Sequence, residues 1–258
     1  MNPVLRRFVV LGTPLILGVL LTTHPVFSGP TGIFRGILSR PDWWLTIHVL
    51  LLPLFYLIAL AAYLLIDGVQ GVAATISKVA LGVFVIFYPA FDVLIGIGTG
   101  TLVYYAAGSP SSQQAVIEKA IIAFLYSPIA NLFVLLGSFG WEVGVLAAAL
   151  ALSRPSRSRL LVAILILLAF LFAAWNLLVG FAMPIWWIGV LTISVLFGFA
   201  VTPHLLGGLL VLASFFFGAS HVPPFGPLGM ACFFLAALQH ELLNWKSVPV
   251  EQVSHLTL

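Results

Sequence analysis

Charge is the scarcest resource in this chain: 7% of its 258 residues are Asp, Glu, Lys or Arg, against 62% that are hydrophobic. A soluble domain carries roughly 25% charged and about 45–50% apolar residues, so a water-soluble core is excluded. The 10 Lys and Arg against 7 Asp and Glu leave a net charge of +3, too small and too scattered for a nucleic-acid face. Cysteine is almost absent. The single Cys232 excludes an intrachain disulfide as well as the CxxC and Cys/His zinc patterns. Also missing are a GxSxG elbow, an HExxH motif, a phosphate-binding P-loop and any pair of histidines three or four residues apart. That last absence removes the HxxxH pair usual in zinc-dependent seven-helix hydrolases.

What the chain has instead is apolar length. About 20 apolar residues cross a bilayer as a helix, and runs of that size appear at approximately 8–27, 44–66, 79–107, 128–153, 159–180, 184–202, 204–220 and 225–242. The expected fold is therefore all-α: one integral membrane domain over 1–258, a polytopic bundle of about eight spans, with seven the alternative if 184–220 is not divided at Thr202-Pro203-His204. The basic start and first apolar run resemble a signal peptide, but the run is too long and lacks a small-x-small cleavage site, so it reads as an uncleaved first helix. Residues 112–126 mix charge with apolar residues at helical spacing and read as an interfacial helix. Ser39-x-x-Asp42 has capping-box spacing, with Pro41 in the first turn of the second span.

Lys and Arg counts orient the bundle. With both termini cytoplasmic, the inner side holds Arg6, Arg7, Lys78, Arg154, Arg157, Arg159 and Lys246, and the outer side Arg35, Arg40 and Lys119. That is the pattern of a multi-pass protein of a cell inner membrane, with the lipid bilayer as its first partner and nucleic acid excluded.

Counting 1.5 Å per residue from the outer boundary sorts the polar residues into two layers. His24, His48, Asn176 and His221 fall within roughly 0–8 Å of the outer surface, with Arg35 and Arg40 in the loop joining the first two spans. Asp92 and Glu142 fall near the midplane, about 18–22 Å down, out of reach of the histidines. Tyr88, Asp92, Gly96 and Gly100 recur every four residues and share one helix face, and Gly96-x-x-x-Gly100 admits a close neighbour. An intramembrane carboxylate is either functional or a hydrogen-bonded tie between helices.

Taken together, His24-Pro25, Trp44 with His48, the Tyr88/Asp92/Gly96/Gly100 face and Ser220-His221-x-Pro-Pro-Phe-Gly resemble a group of uncharacterised multi-pass bacterial membrane proteins. The resemblance spans most of the chain and implies one constellation of residues, with no activity attached. Three readings stay open. In the first, a transporter or ion-coupled protein leads a small molecule or ion past the histidines to Asp92, Tyr88 and Glu142. In the second, a membrane enzyme or electron carrier holds haem or a transition metal in the histidine layer, the haem propionates meeting Arg35 and Arg40. In the third, a non-catalytic subunit uses its polar residues only to organise helices.

Overall fold

The computed structural model describes residues 1–26, 30–152 and 205–245, and every regular element among them is helical. In chain order these are α1 (Pro3–Thr22), α2 (Pro30–Ser39), α3 (Pro41–Leu65), α4 (Val72–Ala106), α5 (Ser111–Leu125), α6 (Pro128–Leu152), α7 (Leu205–Ala219) and α8 (Phe225–Trp245). Five of them, α1, α3, α4, α6 and α8, are long and apolar enough to cross a membrane, and α7 is a shorter apolar helix. Among the described residues, large side chains such as Phe8, Val19, Val49, Leu50, Val79 and Ile86 are exposed, an apolar surface compatible with a membrane protein. The expected spans at 159–180 and 184–202 lie outside the described residues.

Two features depart from expectation. The segment expected as a loop around Arg35 is the helix α2, because Phe34 and Ile37 pack inward with Trp44, Val103, Ala106 and Ile121 into a small core of their own. The capping box does not form: Ser39 Oγ donates to the Gly36 carbonyl, and Arg40 precedes α3 without a side-chain cap, although α3 does begin at Pro41.

Glycine decides how closely the spans pack. On α6, Gly137, Gly140 and Gly144 recur at helical spacing, and a Cβ on any of them would strike α4, at Tyr88, Phe84 and Leu81 respectively. Gly140 lies directly against the backbone of Phe84 and Ala80. Small residues at a helix contact let backbones meet where burial from water supplies no drive. The faces so joined close over a core of Phe55, Phe84, Trp141, Phe217 and Phe233, all fully buried. At one end, Arg6 pairs with Glu241 and donates to the Leu64 carbonyl, which ties α1, α3 and α8 together. The histidines gather at the other end.

α4 is the unusual element. Its 35 residues would run roughly 50 Å, well beyond a hydrocarbon core of about 30 Å. Near its middle it widens into π-type turns over Asp92–Gly98, just after Pro89, whose ring withholds a backbone N–H from the helix ladder. Such local widenings are frequent at functional sites.

Candidate metal centre

α3 and α4 run antiparallel, and at the histidine end they interlock side chain against glycine. Trp44 and His48 stand one turn apart on α3; Gly100 and Gly96 stand one turn apart on α4. A Cβ on Gly96 would overlap the His48 ring, and one on Gly100 would strike Trp44. The Trp44 indole N–H donates to the Gly96 carbonyl at 2.6 Å. The shared face of Tyr88, Asp92, Gly96 and Gly100 is thus a packing face as its spacing indicates, and its partner is the Trp44/His48 edge.

This register overturns the two-layer expectation. Asp92 Oδ1 lies 3.9 Å from His48 Nε2, and both side chains are buried. The depth count misplaces Asp92 because α4, at 35 residues, is longer than the roughly 30 Å core that the count assumed. Counted from Val72, Asp92 is about 30 Å along α4, and counted from Leu65, His48 is about 26 Å along α3. The two residues are therefore level. Glu142 does not join them. The three glycines take the face of α6 that meets α4, so Glu142, two residues from Gly140 and Gly144, points away towards α7, where its carboxyl packs on Gly218 and its carbonyl accepts from Ser214 Oγ at 3.1 Å.

Three histidines from distant parts of the chain meet at this level. His24 follows the end of α1, His48 lies on α3, and His221 sits in the turn between α7 and α8. One ring nitrogen from each lies within 4.8 Å of the other two. The His24 ring centre is 5.1 Å from that of His48 and 5.0 Å from that of His221. The turn carrying His221 is held by contact, since a Cβ on Gly226 would collide with the His221 carbonyl; this accounts for the glycine in Ser220-His221-x-Pro-Pro-Phe-Gly.

One nitrogen of each ring is already engaged. His24 Nδ1 meets the Pro25 carbonyl at 2.8 Å, His48 Nδ1 the Trp44 carbonyl at 2.8 Å, and His221 Nδ1 the Tyr88 hydroxyl at 3.0 Å. A carbonyl only accepts, so Nδ1 of His24 and of His48 carries the hydrogen and Nε2 is left with its lone pair. Nε2 of His24 and Nε2 of His221 are buried without a hydrogen-bond partner, and so is Asp92 Oδ2. Leaving three such atoms unpaired at one place is expensive unless something binds there. Burial also holds the pKa of His24 below its ordinary range, partly offset by the Pro25 carbonyl, and that of His221 well below it, with His24 and His48 adding to the effect. Both rings are accordingly neutral near pH 7, the form that ligates metals.

The spacing suits a compact ion. Two imidazoles on one tetrahedral ion, with nitrogens about 2 Å from it, place their ring centres roughly 5 Å apart. Opposite ligands of a haem iron need about 6.5 Å and a flat macrocycle between the rings. Of the other expected site residues, Arg35 is exposed on α2, Arg40 is exposed at the start of α3, and Asn176 lies outside the described residues. On the far side of Trp44, whose ring packs on His24 and His48, is a cavity of about 220 Å³ lined by Thr23, Pro25, Arg40, Trp43 and Trp44 among others, and by none of the three histidines. Pro25 and Trp44 therefore belong to its wall and also hold two of the histidines. No protein-family model matches this chain, and no curated protein or solved structure matches it either.

Proposed function

We propose that this protein is an integral membrane metalloprotein, holding one divalent transition ion of the zinc type between His24, His48 and His221. The observation that carries the reading is the division of labour in the three converging rings: each Nδ1 is tied to a carbonyl or hydroxyl, and the Nε2 atoms of His24 and His221 are buried with no partner. Metal-ligating histidines are oriented in this way, the outer nitrogen fixing both tautomer and ring. Three imidazoles suit zinc and its neighbours, and three protein ligands with a further position open is the pattern of catalytic rather than structural zinc. By the balance of Lys and Arg, this end of the bundle faces the outside of the cell membrane.

Transport by way of Asp92 and Glu142 is the weaker reading, because the two carboxylates face different helices and Phe84 and Trp141 are packed between α4 and α6. Metal analysis of the purified, zinc-equilibrated protein tests the proposal. About one zinc per chain is expected in the wild type, and a loss of at least tenfold in affinity in each of His24→Ala, His48→Ala and His221→Ala. Unchanged zinc content in any two of these variants would sink it.

A further inference from the structure

Resting on the metal reading above, we infer that the centre keeps one position for water, that Asp92 holds this water and takes its proton, and that the site hydrolyses a carboxylic ester or amide borne by an amphiphile. Three histidines leave a tetrahedral ion one position short. Asp92 stands at the edge of the histidine cluster, its Oδ1 3.9 Å from His48 Nε2, and its Oδ2 is buried and has no donor. A water at the open position supplies that donor. The position of Asp92 is dictated by the same interlock that places His48, so carboxylate and ligand are set by one helix contact.

The cavity supplies the substrate class. Its wall includes Pro25 and Trp44, which hold two of the ligands, and the Trp44 ring that lines it packs on His24 and His48, so a group bound there is one side chain from the histidines. Arg40 and Trp43, both exposed, stand at its rim, and the neighbouring face of α3 exposes Val49 and Leu50. A polar head at the rim with an apolar chain along that face describes an amphiphile lying in the leaflet, with Arg40 favouring an acidic or carbonyl-rich head. A single ion with one carboxylate matches acyl hydrolysis, whereas phosphoryl transfer more often recruits two ions. In the reaction Asp92 accepts a proton from the water as its oxygen bonds to the carbonyl carbon. It then returns the proton to the departing nitrogen or oxygen as the C–N or C–O bond breaks. The products are a carboxylic acid and an amine or alcohol, and no electron changes hands.

The test uses the full chain in lipid nanodiscs, loaded with cobalt(II) for its visible spectrum or with zinc for turnover, with azide and 4-nitrophenyl dodecanoate as probes. Azide is expected to change the cobalt spectrum of the wild type by displacing water. Asp92→Asn is expected to retain cobalt within about threefold of wild-type affinity while losing at least 100-fold in ester turnover. If Asp92→Asn loses the metal and azide has no effect on the wild type, Asp92 is a fourth ligand; the inference is then overturned and the metal reading stands. Cobalt binding and azide exchange without ester turnover in the zinc-loaded wild type also overturns it. Failure to take up cobalt or zinc removes the metal reading itself.

Discussion

Gly96→Ala isolates the contact on which the centre depends. The substitution adds one methyl group, and the structure places that methyl inside the His48 ring. Something has to move. The α4 backbone at this point is held by the Trp44 indole at 2.6 Å and by the neighbouring Gly100 contact, so the ring is the softer partner. Forcing a methyl into a packed core costs typically about 1–3 kcal/mol. If the ring swings away to relieve this, the same free energy is needed to return it to the ligating position. Metal affinity should then fall by roughly 5- to 150-fold, at about 1.4 kcal/mol per factor of ten. Gly82→Ala is the matched control: Gly82 lies on the same helix with nothing within 4 Å of the added carbon. There the exchange is expected to leave metal binding unchanged and to stabilise the helix by roughly 0.5–1 kcal/mol. Zinc competition against a fluorescent chelator in detergent reads both variants. A Gly96→Ala protein binding zinc within twofold of wild type would show that the His48 ring is not held where this packing puts it.

Tyr88→Phe removes the hydroxyl that holds His221 Nδ1 but keeps the ring packed on Phe55 and Phe84, so zinc affinity should drop about 10- to 100-fold with little loss of thermal stability. Equal binding by the phenylalanine variant would count against that hydrogen bond as a ring-setting contact. The metal-free protein should lose stability on acidification. His24 and His221 have folded pKa values below the ordinary 6.5, so as pH falls through about 6.5 the unfolded chain takes up protons that the native rings refuse, and the loss continues down to the lowered folded values. Melting temperatures measured between pH 7.5 and 5 should show this slope, and replacing both residues by Gln should flatten it. Topology is checked in a Cys232→Ala background: Gln70→Cys and Ser109→Cys, at opposite ends of α4, should label from opposite faces of the membrane, with Ser109→Cys on the histidine side. Labelling from one face would exclude α4 as a span.

The class of the protein was legible from composition, since so few charges and such long apolar runs leave a membrane bundle as the only place to bury the chain. Helix ends were readable to within a few residues where Pro or Gly marks them, as at Pro41, Pro128 and Phe225. The period of four also revealed the Tyr88/Asp92/Gly96/Gly100 face, because spacing on a helix is a local property. Ile33, Phe34, Ile37 and Leu38 carried the signal for α2 too, although the sequence pattern assigns the segment only to the loop joining the first two spans. Only the tertiary structure decided depth, partner and direction. A 35-residue helix can slide along the membrane normal, so its acid is placed by what α3 packs against it: His48 at Gly96 and Trp44 at Gly100. Likewise Glu142 is an intramembrane acid of the same kind as Asp92, yet the glycine stripe of α6 turns it to another face. The convergence of His24, His48 and His221 has no signature in a single sequence, because its ligands are 24 and 173 residues apart along the chain and meet only through the contacts of four helices. Which nitrogen of each ring is already hydrogen-bonded is set by the neighbouring Pro25 and Trp44 carbonyls for His24 and His48, whereas for His221 it is set by the Tyr88 hydroxyl, a group that only the fold brings within reach.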